Sequence, residues 1–464
     1  MNNSIEQPVT NIFKWFGQSA LIKLFMIGVL TLLLLIPSSM IQSLIQERQQ
    51  RQEEVIGEVS DKWSGSQLLQ GPVLVLPYKT MVRTKDNAGK ENFSEVISQL
   101  FLLPEKLDIT GKADPEVLHR GIFDAVVYNS KLTVNGSFGD LELKKSGINP
   151  DLILWDKAKV AIGISDLKGL KNNPSVKLGN AVYSAETDFS QSTLFSNNLI
   201  VLPDLSAGKS TRLNFSFDLD IRGSSELNFM HLGKSTTVRV NGPWTNPSFT
   251  GRYLPEDRKI ADSGFDASWK MSYFNRPFPQ QWLAKDAALL KVNNDAVFGV
   301  KFILPVDQYQ KTMRSAKYAI LIILLTFVSL FFTEILGGKR VHLLQYVLIG
   351  AAMTIYYTLL LAFSEQVGFN IAYLIASVAT VLLIGFFIGA LLRNRKPALV
   401  FSMILTVFYS FIFVIIQLQD LALLFGSVGL FVIIAVMMYL SARIDWTPKP
   451  VSEALQPSPD SGLN

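Results

Sequence analysis

Hydrophobic positions along the chain obey three different rules, and the changes between them are abrupt. Residues 21–45 hold the run IGVLTLLLLIP with apolar flanks, long enough as a helix to cross about 30 Å of hydrocarbon. Apolar residues continue past Pro37 at Met40, Ile41, Leu44 and Ile45, and no small-x-small cleavage site follows Leu35. The run therefore predicts an uncleaved signal anchor, with Pro37 marking a kink or the helix exit. Residues 46–62 are rich in helix formers, but Val55, Ile56 and Val59 make too few heptads for a coiled coil. They predict a helical stalk packed on its own domain.

From residue 63 to 316 the period falls to two. In residues 211–221, Leu213, Phe215, Phe217, Leu219 and Ile221 share one face, and Asn214, Ser216, Asp218 and Asp220 the other. That is a strand with one wet side. Val160, Ile162 and Ile164 repeat the pattern, as do Val238 and Val240. Residues 73–77 and 296–304, apolar on both faces, suit central strands. Residues 122–134 predict one long strand or two, Asn129-Ser130 being the turn in the second case. Turn chemistry stands at Asp86-Asn87, Asn135-Gly136, Asn172-Asn173-Pro174 and Asn241-Gly242-Pro243. Many short strands without alternating helices predict an antiparallel sandwich.

The third rule begins inside VDQYQKTMRSAKYAILIILLTFVSLFFTE, residues 306–334. Its first third is polar and basic, with Asp307, Lys311, Arg314 and Lys317; from Tyr318 to Phe332 it is apolar. Five spans follow, at residues 318–335, 341–363, 371–392, 398–417 and 421–440, each near the ~20 residues a membrane helix needs. Their connections are short, so consecutive spans are antiparallel neighbours. The fold class is thus a membrane α-helical bundle of about six spans, with a large periplasmic all-β domain inserted after the first. Its divisions are a cytoplasmic N-terminus (1–20), an anchor (21–45), a stalk (46–62), a β-rich domain (63–316), a five-helix bundle (317–441) and a cytoplasmic tail (442–464). The tail is Pro- and Ser-rich and reads as disordered.

Charge adds orientation. Lys14, Lys23, Lys339, Arg340, Arg393, Arg395, Lys396, Arg443 and Lys449 fall on one side of the spans, while the two short loops opposite carry Glu365 and Asp420. This positive-inside pattern predicts cytoplasmic termini and an external β domain. Arg48, Arg51, Arg314 and Lys317 run against it but flank a long translocated domain, where the bias weakens. The net charge of +5 comes mainly from these clusters, which orient a membrane protein rather than bind nucleic acid. No cysteine is present, which excludes disulfides and thiolate chemistry, and His119, His231 and His342 are the only imidazoles. No metal or cofactor is expected.

Candidate chemistry is sparse. Ser165 and Lys168 fit S-x-x-K, yet no K-T-G or S-D-N partner accompanies them, and Lys311-Thr312 is followed by Met313. Ser165 reads as an ordinary strand-end serine, and no enzyme is expected. Trp244, Phe249 and Tyr253, with Asp257 and Arg258, sit in a Pro-rich loop that either stacks on a ligand or plugs the open end of the sandwich, the plug being preferred. Asp307, Arg314 and Lys317 lie at the predicted external headgroup level, where they meet lipid phosphate or simply anchor the helix. The span centres hold no acid or base, only Thr354, Tyr356, Tyr357, Ser377, Thr380, Ser402, Thr406, Tyr409 and Ser410. Such hydroxyls bond across helices or back to their own carbonyls, which argues against a proton-coupled transporter. GFFIG (residues 385–389) is a small-xxx-small face for helix packing.

GPVLVLP (residues 71–77), RGIFDAVVY (120–128), PWTNPSFTGRYLP (243–255), FGVKFILPVDQYQKTMRSAKYAILIILLTF (298–327), VHLLQY (341–346) and SEQVGFNIAYLIAS (364–377) together carry a resemblance. On them the chain resembles the CreD-type inner-membrane proteins, also called cell envelope integrity proteins, along nearly its whole length. The resemblance implies a Gram-negative inner-membrane protein tied to a CreBC-type two-component response, linked to envelope integrity and to tolerance of colicins or β-lactams. It implies no catalytic residues. The expected function is non-catalytic support of the envelope by binding an envelope protein or lipid. The alternative is an insertion or folding factor of YidC-like topology, which should have a hydrophilic groove open to the cytoplasm with a cation in it.

Overall fold

Anchor helix, β-sheet domain and terminal run of apolar helices are all present in the computed structural model, which describes residues 20–85, 91–188, 194–284, 294–304, 308–337, 341–393, 395–418 and 421–443. Two compact units result: Gln50–Val306, and the joined segments Met1–Gln49 and Asp307–Asn464.

In the first unit two sheets, of nine and eight strands among the described residues, share one core. The first is built on β1 (Gln67–Lys85). Lys159–Ile164 pairs antiparallel along one edge of β1, and β2 (Glu91–Leu102) runs antiparallel along the other from Leu74 onward. The second is built on β3 (Pro104–Arg120) and β4 (Phe123–Phe138), antiparallel partners flanked by Ser235–Gly242 and Asn214–Ser224. Alternation puts Leu74, Leu76, Ile162, Phe229 and Phe298 of one sheet against Ile109, Val134, Phe217, Val240 and Trp269 of the other. Each such burial contributes about 1.5–3 kcal/mol.

The sandwich is mixed, where an antiparallel one was expected. β1 runs parallel to Glu226–Met230, and β3 parallel to Ser235–Gly242. The reason lies in the connections. Asn214–Ser224 belongs to one sheet, the chain crosses to the other through Ser225 (φ 61°), and Ser235–Gly242 crosses back. A strand that changes sheet has no hairpin partner at hand and can settle beside a strand of the same direction.

One turn expectation is corrected: Asn135-Gly136 lies inside the continuous β4, as does Asn129-Ser130, so of the two readings of residues 122–134 the single long strand is the one found. Gly136 is there for close approach: a Cβ would stand 2.2 Å from the Lys106 carbonyl oxygen and 2.4 Å from the Phe215 ring. Asp86-Asn87 falls outside the described residues. A similar constraint holds at Gly299, where a Cβ would stand 2.2 Å from the Leu227 carbonyl oxygen and 2.4 Å from Asn228 Oδ1. Gly299→Ala should cost about 1–3 kcal/mol, read as a lowered melting temperature of the full chain; an unchanged value would contradict the close approach.

In the second unit, α1 (Ala20–Leu33) leads into α2 (Leu35–Trp63) with only Leu34 between. The interruption precedes Pro37 by three residues, as expected when a proline lacks its N–H and crowds the carbonyl one turn back. Pro37 therefore disturbs the helix without ending it. The far end of α2 belongs to the β unit: Glu58 pairs with Arg120 (2.7 Å), Asp61 with Lys168 (3.0 Å), and the Arg222 guanidinium lies over the Trp63 ring.

Then come α3 (Gln308–Lys317), α4 (Ala319–Gly337), α5 (Leu343–Val367), α6 (Phe369–Leu392), α7 (Arg395–Gln417) and α8 (Ala422–Ala442). Five helices among the described residues are long and apolar enough to cross a membrane, six if α3 and α4, bent by 42°, count as one. The bend at Tyr318 follows from partners. Amphipathic α3 buries Tyr309, Thr312, Ser315 and Ala316 and packs chiefly on α5, whereas α4 packs on α7 and α1. α5, α6 and α7 pack as successive antiparallel neighbours; α8 touches α7 and buries no residue, as befits a lipid-facing helix.

Candidate functional site

The segment read as a Pro-rich loop is partly strand, with Phe249 in Pro247–Gly251, Asp257 and Arg258 in Asp257–Ala261, and Trp244 and Tyr253 in the connections; its aromatics are built into the sandwich. Trp244 meets Phe302 edge-on, Phe249 meets Phe265 and Trp269, and Tyr253 meets Phe298, each half-buried on the shared core. The Tyr253 hydroxyl donates to the Asn275 carbonyl (2.5 Å), and Trp269 Nε1–H donates to the Tyr253 carbonyl (3.0 Å). Against Tyr253 stands His231, fully buried. Its Nε2 lies 3.1 Å from the Ser272 carbonyl and its Nδ1 3.0 Å from Thr236 Oγ1. A carbonyl can only accept, so Nε2 carries the proton and Nδ1 accepts from the threonine. Burial, reinforced by the nearby Arg276 cation, holds the imidazole down to about 4. Arg276 is itself buried, donating to the Phe278 and Leu232 carbonyls and to Gln280, and burial lowers it to about 10.

Ser165 and Lys168 serve structure. The serine hydroxyl donates to the Ser66 carbonyl (2.7 Å) and accepts from the Leu68 amide (2.9 Å), fastening the start of β1. The Lys168 ammonium is held by Asp61. Among the described residues no group of three potential metal ligands comes together.

Sequence reading missed a feature of the long β1–β2 hairpin. From Glu91 to Gln99, β2 pairs with β1 alone among the described residues, and this arm carries Met81, Phe93 and Ile97, each more than half exposed. Alternation there mixes apolar residues with Lys79 and Glu95, an ion pair at 2.7 Å, so no one-sided signal marks it.

Of the boundary residues, Asp307 lies outside the described residues, Arg314 is half-buried and Lys317 exposed. The more engaged cation is Lys311, whose ammonium donates to Gln417 Oε1 (3.1 Å) and lies over the Phe369 ring. Gln417 in turn donates to Asn370 Oδ1 (2.7 Å), and Tyr309 donates to Glu365 (3.0 Å). α3 thus ties a polar collar across the α5–α6 and α7 ends.

Below that collar, tyrosines from three helices converge. Tyr356 packs on Tyr357 and Tyr409 at 4.8 Å between ring centres and on Tyr373 at 6.0 Å. Tyr373 donates to the Tyr409 carbonyl (2.8 Å) and Thr354 to that of Gly350 (2.9 Å), but the hydroxyls of Tyr357 and Tyr409 are buried without a partner among the described residues. Tyr409 and Tyr373 also line an opening of about 620 Å³ between α6 and α7, with Asn370, Leu374, Val378, Leu382, Phe413 and Val414. The opening is mostly apolar. Each tyrosine was visible in sequence, but their meeting depends on how α5, α6 and α7 pack.

At the other end of the bundle, Lys23 of α1 donates to Glu334 of α4 and to the Val341 carbonyl (2.8 Å). The second Glu334 oxygen accepts from Tyr346 (3.3 Å), and Glu334 is buried. The two partners of this ion pair lie 311 positions apart in the sequence.

Comparison with known proteins gives three results. The family model described as Inner membrane protein CreD matches residues 19–447. Inner membrane protein CreD of Escherichia coli (strain K12) is 30% identical over 419 residues, covering 89% of this chain and 91% of that protein. Among solved structures, an M1 zinc metallopeptidase mutant of Deinococcus radiodurans, bound to a Tyr-Ser-Ala substrate, has 9% identity and a TM-score of 0.19, covering 76% of this chain and 96% of its own. That likeness is too slight to indicate a shared fold.

Proposed function

The chain belongs to the CreD family of inner membrane proteins, and from there we propose that it supports the integrity of the cell envelope without catalysis, by binding an envelope lipid or protein. The β unit works in the periplasm, and both termini are cytoplasmic. Supporting that orientation, Lys23, Arg393, Arg395, Lys396 and Arg443 gather at one set of helix ends, while Glu365 stands at the other.

The observation that carries the binding reading is the opening between α6 and α7, apolar along its walls and ending at Asn370, beside Gln417 and Lys311. Ser165 and Lys168, engaged in fastening β1 and α2, leave no nucleophile–base pair there. The exposed β1–β2 arm, where β2 from Glu91 to Gln99 pairs with β1 alone among the described residues, favours a protein partner as well, added along that edge. Insertion of membrane proteins fits less well. The opening is apolar, and Lys311 stands at the opposite helix ends from Lys23.

The test is genetic. Deleting the gene should raise sensitivity to β-lactams and colicins severalfold, and Ser165→Ala should restore resistance as fully as the unaltered chain. Unchanged sensitivity on deletion would remove the function; a dead Ser165→Ala protein of normal abundance would reopen catalysis.

A further inference from the structure

We propose that the α6–α7 groove holds one acyl chain of a membrane phospholipid, with the lipid's anionic headgroup resting on Lys311. The inference rests on the binding reading above and names its ligand. The groove opens sideways between two helices that are apolar enough to span the membrane, so the molecule it meets is lipid. From Asn370 to Leu382 it follows twelve residues of α6, about 18 Å at the rise of a helix, more than half the ~30 Å hydrocarbon thickness.

The two ends differ. Toward mid-membrane the walls are Val378, Val381 and Leu382; at the other end stand Asn370, Gln417 and Lys311. An ammonium has three donors, and the bond to Gln417 uses one. A phosphate can take the others, as a charge-assisted bond. Arg314 and Lys317 on the same short helix add positive potential.

The test is native mass spectrometry of the full chain in detergent, with phosphatidylglycerol or diacylglycerol of identical chains. One phosphatidylglycerol should be retained about tenfold over diacylglycerol, the discrimination expected of one charge-assisted bond. Ser410→Trp, which fills the groove from an exposed wall position, should abolish that retention. Lys311→Gln should keep one lipid but lose the headgroup preference. A statistical series of adducts unchanged by Ser410→Trp, or equal retention of the two lipids by the unaltered chain, would overturn the proposal. A chain that retains no lipid yet restores resistance to a deletion strain would sink the lipid assignment alone. A deletion strain of normal resistance would sink the binding reading with it.

Discussion

Glu334→Ala should be the most damaging single substitution in the helical unit, lowering stability by about 3–5 kcal/mol. It leaves the Lys23 ammonium half-buried with only the Val341 carbonyl and the face of Tyr346 to meet it. Lys23→Ala should do comparable harm from the other side, stranding a buried carboxylate whose remaining bond is from Tyr346. Because desolvation offsets much of what an ion pair gains, Lys23→Met combined with Glu334→Leu should recover most of the loss. Thermal unfolding of the purified chain in detergent, alongside its abundance in membranes, reads this. Single variants as stable as the parent would show that α1 is held to α4 by packing alone. A double variant as poor as the singles would show that the charges themselves are required.

Acid should destabilise the β unit by about 3 kcal/mol through His231 alone. The group's folded value, about 4, lies below the unfolded 6.5. As pH falls from 6.5, the unfolded chain takes up a proton that the folded one refuses, so stability drops until about pH 4 and this contribution then levels off. Protonation would set a cation beside Arg276 and deprive Nδ1 of the bond it accepts from Thr236. Tyr253, the other titratable side chain against the ring, is pushed up by burial and stays neutral across this range. His231→Gln keeps a side-chain donor for Ser272 and cannot titrate. Its melting temperature should therefore fall less between pH 7 and 4.5 than the parent's; parallel curves would contradict the assignment.

What could be read in advance follows the range of the interactions. The period-two run around Phe217 and the apolar spans depend on near neighbours, and both emerged as read. The parallel ladders beside β1 and β3 depend on where the chain changes sheet, which no local pattern reports. Gly136 looked like turn chemistry because Asn-Gly commonly is; the Lys106 carbonyl and the Phe215 ring, both from other strands, explain it. The tyrosine group and the Lys23–Glu334 pair are tertiary in the same sense. Trp244, Phe249 and Tyr253 were legible as a cluster because they lie within ten residues.

Everything in the functional account depends on the β unit facing the outside of the inner membrane. Since the chain has no cysteine, Lys209→Cys in an exposed turn and Arg443→Cys at the end of α8 each create a unique thiol. A membrane-impermeant maleimide added to intact spheroplasts should label Lys209→Cys at once and Arg443→Cys only after lysis. Labelling of Arg443→Cys from outside, with Lys209→Cys protected until lysis, would contradict the account.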